Sequence, residues 1–233
     1  MSGTLGTLVA PIHPGEKHLA AVLLVDTSMS MMEKPIEELN HGLEEFGQAL
    51  QQDALALGRV EIMIISFNST VQTEMPFKPA MEYQAPKLVA EGLTALNEAI
   101  DTALDVLEER KDLYKQNGIN YYRPWLFVLT DGEATDEERE SATKARLRGY
   151  IDRKKVVFMP MAIGESVNKE KLREYYPEDA PSKVVLSADS KHFKEAFVWL
   201  SESLTVIAKS DPTVSEEVNL PPTPSIITVG INE

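Results

Sequence analysis

The chain contains no cysteine, which excludes a disulfide framework, a thiolate nucleophile and any zinc site built on sulfur. Its four histidines, His13, His18, His41 and His192, are scattered and show no ligand spacing. No apolar run is long: the longest, residues 19–25, falls far short of the ~20 residues needed to cross a bilayer. Basic residues are in deficit, with 23 Lys and Arg against 37 Asp and Glu, a net charge of −14. That balance argues against nucleic acid, whose binding rests on a positive footprint. The one basic concentration, Lys144, Arg146, Arg148, Arg153, Lys154 and Lys155, reads as the charged face of a helix. The N-terminus lacks a basic stretch and makes a poor secretion signal. The expectation is a cytoplasmic protein that uses neither membrane nor nucleic acid. What remains is ordinary for a globular chain: 233 residues, 43% hydrophobic and 26% charged, enough for one large α/β domain without staples.

Short runs rich in Val, Ile, Leu and Phe occur at residues 19–25, 60–67, 125–129, 156–161 and 184–186. Uninterrupted apolar runs of this length are the mark of strands covered on both faces. Between them, residues 36–57 place Leu39, Leu43, Phe46 and Leu50 at helical steps, and residues 96–114 do so with Leu96, Ile100, Leu104 and Leu107. Residues 136–151 and 191–208 complete the helices. Alternation of strand and helix predicts parallel crossovers and a doubly wound α/β sheet. Residues 71–77 follow the second strand after Asn68-Ser69 and predict a hairpin, hence one antiparallel edge strand. The expected organisation is an N-terminal arm over residues 1–16, a domain over 17–209, and a proline-containing tail over 210–233. The stretch 225–231 has the composition of a further strand without a predictable position.

In a doubly wound sheet, ligands bind beyond the carboxyl ends of the strands. The first strand runs straight into Asp26-Thr-Ser-Met-Ser30, the fourth into Thr130-Asp-Gly-Glu133, and Glu91-Gly-Leu-Thr94 opens the helix at Leu96. All three polar turns therefore fall at one edge. Together they supply two carboxylates and three or more hydroxyls, a set of oxygen donors suited to a hard divalent cation. Each piece also has a plain helix-end reading. Ser30-Met-Met-Glu33 and Thr135-Asp-Glu-Glu138 have the form of capping boxes, Thr94 that of an N-cap, and Asp131-Gly132 is a common turn. Capping does not account for Asp26, since a carboxylate at the end of a buried strand is costly unless its charge is compensated.

Asp26-x-Ser28-x-Ser30, Thr94 before a helix, and Thr130-Asp131-Gly132 after the fourth strand resemble the metal-ion-dependent adhesion site of von Willebrand factor type A domains. The resemblance spans roughly residues 18 to 208. More narrowly, Pro35-Ile-Glu-Glu-Leu-Asn40, Ile65-Ser-Phe-Asn68 and Tyr121-Tyr-Arg-Pro-Trp125 are similar to the small stand-alone TerY-like proteins of bacterial tellurium-resistance and stress operons. The family implies a six-stranded Rossmann-like sheet and a bound Mg²⁺ or Mn²⁺. Carried over by residue, Ser28, Ser30 and Thr94 would offer hydroxyls to the metal, and Asp26 and Asp131 would ligate it directly or through water. A protein partner would complete the shell with an Asp or Glu side chain, which makes the expected function metal-dependent protein binding.

The competing class is a Mg²⁺-dependent phosphatase or phosphotransferase of the haloacid dehalogenase type, which also places an Asp after its first strand. That chemistry needs a second Asp two residues on as general acid, where this chain has Ser28. No P-loop, G-x-G-x-x-G or G-x-S-x-G is present, and the expectation is a protein that is not an enzyme. A third reading is an adaptor regulated by phosphorylation of Ser28, Ser30 or Thr94. The tail also contains Glu216, Glu217 and Glu233, any of which would be able to mimic a partner's carboxylate.

Overall fold

The computed structural model describes residues 15–164, 167–210, 220–225 and 227–230. Strand β1 (Leu19–Asp26) is buried along its whole length because its alternate residues face two separate cores. Leu19, Ala21, Leu23 and Val25 pack toward helices α1 (Lys34–Gln51) and α6 (Phe193–Lys209), meeting Leu43, Phe46, Phe197 and Leu200. Ala20, Val22 and Leu24 face the other way, toward α3 (Leu96–Gln116), which contributes Ile100, Leu104 and Leu107.

β1 pairs in parallel with β2 (Val60–Phe67) on one side and β4 (Trp125–Thr130) on the other. β5 (Val157–Ile163) and β6 (Val185–Ala188) continue the parallel sheet beyond β4. β3 (Val71–Pro79) turns back antiparallel on β2, as the hairpin reading predicts. The expected doubly wound α/β sheet of six strands with one antiparallel edge is therefore present, in the order β3-β2-β1-β4-β5-β6. A seventh short strand, β7 (Thr228–Gly230), adds antiparallel to β6, which gives the 225–231 stretch its position. Its neighbours hold it there: Ile227 is buried, Leu220 packs on the core, and Trp199 Nε1 donates to the Pro221 carbonyl at 3.1 Å. The rest of the two arms, residues 1–14, 211–219 and 231–233, lies outside the described residues, as do Glu216, Glu217 and Glu233.

Two helices depart from the sequence pattern. The continuous helix expected over 36–57 is broken, because the Asp53 carboxylate accepts the Leu55 and Ala56 N–H groups at 3.0 and 3.1 Å and starts α2 (Ala54–Arg59) afresh. A five-residue helix, α5 (Lys169–Arg173), carries too few apolar positions to show a period. The basic face of α4 (Glu137–Asp152) is largely used up in ion pairs. Arg146 meets Asp101 and Asp105 of α3, and Lys144 meets Glu140 and Glu174. No helix among the described residues is long and apolar enough to cross a membrane.

Candidate metal centre

After β1 the chain moves outward to β2 and β3, then returns to build β4 on the opposite side. The strand order thus reverses between β1 and β4, and the crevice at their carboxyl ends is where this class of sheet binds ligands. Asp26 is the last residue of β1, and Thr130-Asp131 closes β4.

Asp26 is fully buried. One carboxylate oxygen accepts the Ser28 N–H at 2.9 Å and the other accepts the Thr130 hydroxyl at 2.6 Å. Burial pushes its carboxyl up to about 6 against the pull of these hydrogen bonds, and the neighbouring Asp131 adds to the rise. Burial likewise raises the Asp131 carboxyl, opposed by a hydrogen bond from Ser30. The Ser30 hydroxyl donates to Asp131 Oδ1 at 2.7 Å and lies 2.9 Å from the Ser28 hydroxyl. Ser28, Ser30 and Asp131 thus form one connected row of oxygens next to the buried Asp26. Among the described residues no Lys, Arg or His forms an ion pair with either carboxylate.

The third turn reaches the same place through its backbone. Thr27 N–H donates to the Phe67 carbonyl, Glu91 N–H to the Thr27 carbonyl, and Met29 N–H to the Gly92 carbonyl. Gly92 has φ +74°, and a Cβ there would meet Ser69 Oγ at 2.5 Å, so only glycine fits. Two residues on, the Thr94 hydroxyl lies 3.8 Å from where a Cβ would sit at Gly132, which brings it beside the Asp131 turn. Thr94 is further tied to the loop after β4: its N–H donates to Thr135 Oγ1 at 3.1 Å and its carbonyl accepts the Thr135 N–H at 2.9 Å.

The capping readings of Ser30, Thr94 and Thr135 do not hold. Ser30 lies in a 3-10 turn, Met29–Met31, and its hydroxyl goes to Asp131, while the N-cap of α1 is Glu33 with no side-chain cap bond. Glu33 adopts φ +65°, a strained conformation of order 1–3 kcal/mol for a side-chain-bearing residue, directly beside the first turn. The N-cap of α3 is Ala95, so Thr94 does not cap. Thr135 does not cap α4 either, and the neighbouring Asp136 carboxylate reaches instead to the start of α3, accepting from Asn97 N–H at 3.2 Å and Glu98 N–H at 2.8 Å. Tyr175 donates to Asn97 Oδ1 at 2.6 Å behind this contact. Thr130, read in the sequence only as part of the Thr130-Asp131-Gly132 motif, supports Asp26, and Thr135 and Asp136 are the supporting residues that spacing missed. Their signal was present, but it has the same form as a local capping box.

The five sequence-derived residues, Asp26, Ser28, Ser30, Thr94 and Asp131, are thus drawn to one edge by three turns that hydrogen-bond one another. Among the described residues no three or more of His, Cys, Asp and Glu converge as a metal-binding group. The candidate donors are instead two carboxylates with hydroxyls. This chemistry fits a hard divalent ion, because two crowded acidic groups without a cationic partner are what such a charge would relieve.

Fold and crevice together define a doubly wound α/β domain with an oxygen-rich binding edge at its topological switch point. Residues 21–133 match the family described as the von Willebrand factor type A domain. No protein of curated function matches the sequence. Among solved structures, a von Willebrand factor type A protein from Catenulispora acidiphila is similar at TM-score 0.61 and 16% identity, over 82% of this chain and 43% of that one. The von Willebrand factor domain of the type V pili tip protein Mfa5 from Porphyromonas gingivalis is similar at TM-score 0.62 and 7% identity, over 84% of this chain and 98% of that one. Proximal thread matrix protein 1 from the mussel byssus, with a zinc-occupied MIDAS motif, is similar at TM-score 0.51 and 12% identity, over 80% of this chain and 46% of that one. At these identities the likeness is one of fold. The chain spans less than half the length of the first and third of these structures.

Proposed function

We propose that this domain is a metal-dependent protein-binding module. A divalent cation, Mg²⁺ or Mn²⁺, is held by the hydroxyls of Ser28, Ser30 and Thr94 and by Asp26 and Asp131, directly or through water. A carboxylate from a partner's Asp or Glu then completes its shell. The observation that carries the reading is the row Ser28–Ser30–Asp131 beside a buried Asp26, with no cationic ion-pair partner for either carboxylate among the described residues. Neutral hydroxyls leave a bound cation much of its charge, which favours capture of an outside carboxylate over turnover, so the module is read as a binder and not an enzyme. The structural neighbour with a zinc-occupied MIDAS motif lends support by analogy of fold. The narrower resemblance to TerY-like proteins supports a setting in a bacterial tellurite or stress response, and the cysteine-free composition supports a cytoplasmic module.

The test is thermal unfolding of the chain in chelator and then in Mg²⁺ or Mn²⁺, beside Asp131→Ala. A ligand at about 100 times its dissociation constant that binds only the native state adds roughly 2.7 kcal/mol, or roughly 5–10 °C at this size. A rise in the wild type that Asp131→Ala lacks supports the site. A flat wild-type response to both metals would sink it.

A further inference from the structure

Large apolar side chains exposed to water are unevenly placed on this molecule. Of the six among the described residues, Met29, Met32, Val89 and Leu93 belong to the two turns beside the candidate metal centre, at 62%, 50%, 72% and 62% exposure. The other two, Leu55 and Met81, lie near the start of β2, at the opposite edge of the sheet. The fold imposes this exposure. Met31 is fully buried, so Met29 and Met32 on the same short turn are left outside. Leu88 is buried and clamped through both backbone groups by the Asn40 side chain, at 2.8 and 3.0 Å, which leaves Val89 facing out. Leu93 N–H is held by Ser69 Oγ at 2.9 Å, and the Met29–Gly92 hydrogen bond joins the two turns. Clustered apolar exposure on a fixed frame marks an interface rather than chance.

We propose that these four side chains form an apolar rim whose occupant is a partner-protein segment carrying a single Asp or Glu between large apolar residues. The inference rests on the cation reading above and adds the chemistry of the partner around its carboxylate. An apolar ring excludes water from a cation–carboxylate contact, which strengthens it. Glu33 and Glu91 stand exposed on the same two turns, and Glu133, paired with Lys171, on the turn after β4, so a second acid beside the first would be repelled. A polyacidic segment is the wrong occupant, and an isolated acid with apolar flanks is the right one.

The test uses displayed random dodecapeptides with one fixed central Asp, selected on the full chain in Mn²⁺ and released by chelator. The released sequences are expected to be enriched in Leu, Ile, Met, Phe and Val beside the Asp and depleted of further acids. One such peptide should bind Val89→Ser/Leu93→Ser at least about tenfold more weakly, while the Mn²⁺-dependent thermal shift of that variant equals the wild type. Polar flanks, no recoverable peptide, or equal affinity for the variant would each overturn the rim while leaving the cation reading intact. A Mn²⁺-dependent dimer in sedimentation that dissolves in the double variant would overturn it too, by assigning the rim to a second copy. A wild type with no thermal shift in Mn²⁺ removes the cation reading and this inference together.

Discussion

Replacing Asp26 by asparagine should stabilise the protein without metal and abolish the stabilisation that metal brings. The native carboxyl is buried and pushed up to about 6, against 3.8 for the free side chain. A carboxyl raised in the native state holds its proton more firmly there than in the unfolded chain. Stability therefore falls as pH rises from about 4 to about 6, and stays lowered above that window. The difference, about 2.2 on the pH scale at 1.36 kcal/mol each, makes the ionised native group cost about 3 kcal/mol at neutral pH. Asparagine keeps the shape and still accepts the Ser28 N–H. Its amide can donate to the Thr130 hydroxyl, which in turn has the Gly132 carbonyl within 3.2 Å. In chelator at pH 7.5, Asp26→Asn should unfold at higher urea than the wild type by roughly 1–3 kcal/mol, and the gap should close toward pH 4. In saturating Mn²⁺ the wild type alone should gain. A variant no more stable than the wild type in chelator, with a gap indifferent to pH, would refute the view that Asp26 is an uncompensated buried charge. Equal stabilisation of both proteins by metal would remove Asp26 from the site.

Three further outcomes follow from other parts of the molecule. Asp136→Ala removes the carboxylate that joins the loop after β4 to the start of α3, and should cost about 1–2 kcal/mol in denaturant melts and weaken Mn²⁺ binding by calorimetry; an unaltered Mn²⁺ affinity would show that this clamp does not position Thr94. Gly42→Ala in α1 gains helix propensity, yet its Cβ would meet the buried Phe197 ring at 2.5 Å, so net destabilisation of about 1–2 kcal/mol is expected, and a stabilised variant in the same melts would mean the α1–α6 contact yields easily. Glu61 is buried at the far edge of the sheet, where burial alone would raise its carboxyl but His18, Arg110 and Tyr114 together hold it below its ordinary value. Its contribution to stability is accordingly present above the ordinary carboxylate range and lost on acidification below it. Glu61→Gln, by removing the carboxylate facing Arg110, should cost about 3–5 kcal/mol in urea titrations at pH 7, and a loss under 1 kcal/mol would count against a tightly coupled network.

The strands were legible in the sequence because burial on both faces leaves a run dominated by apolar residues; residues 19–25 show it without a break, and residues 60–67 show it despite Glu61 and Ser66. The hairpin of β3 and the cores of α1 and α3 were legible for the same kind of reason, since turn chemistry and helical period are local properties. The break at Asp53 was not, because an N-cap inside an apolar period looks like one polar residue among many. The placement of β7 beside β6 was not either, because a pairing partner forty residues away leaves no mark on local composition.

The site divides in the same way. The amino-acid order determined that Asp26, Ser28, Ser30, Thr94 and Asp131 stand at strand ends and at a helix start, on the ligand-binding edge of such a sheet. Tertiary structure decided that Ser30 and Thr94 do not cap: Ser30 gives its hydroxyl to Asp131 across 101 residues, and Thr94 stands before the N-cap position of α3, whose Asn97 and Glu98 N–H groups go to Asp136. It also decided that Thr135 and Asp136, which have the form of a local capping box, brace α3 from another loop. The physical reason is common to all of these. A hydroxyl or carboxylate near a helix end has two sets of donors within reach, one local and one brought by the fold, and only the folded chain shows which set it takes.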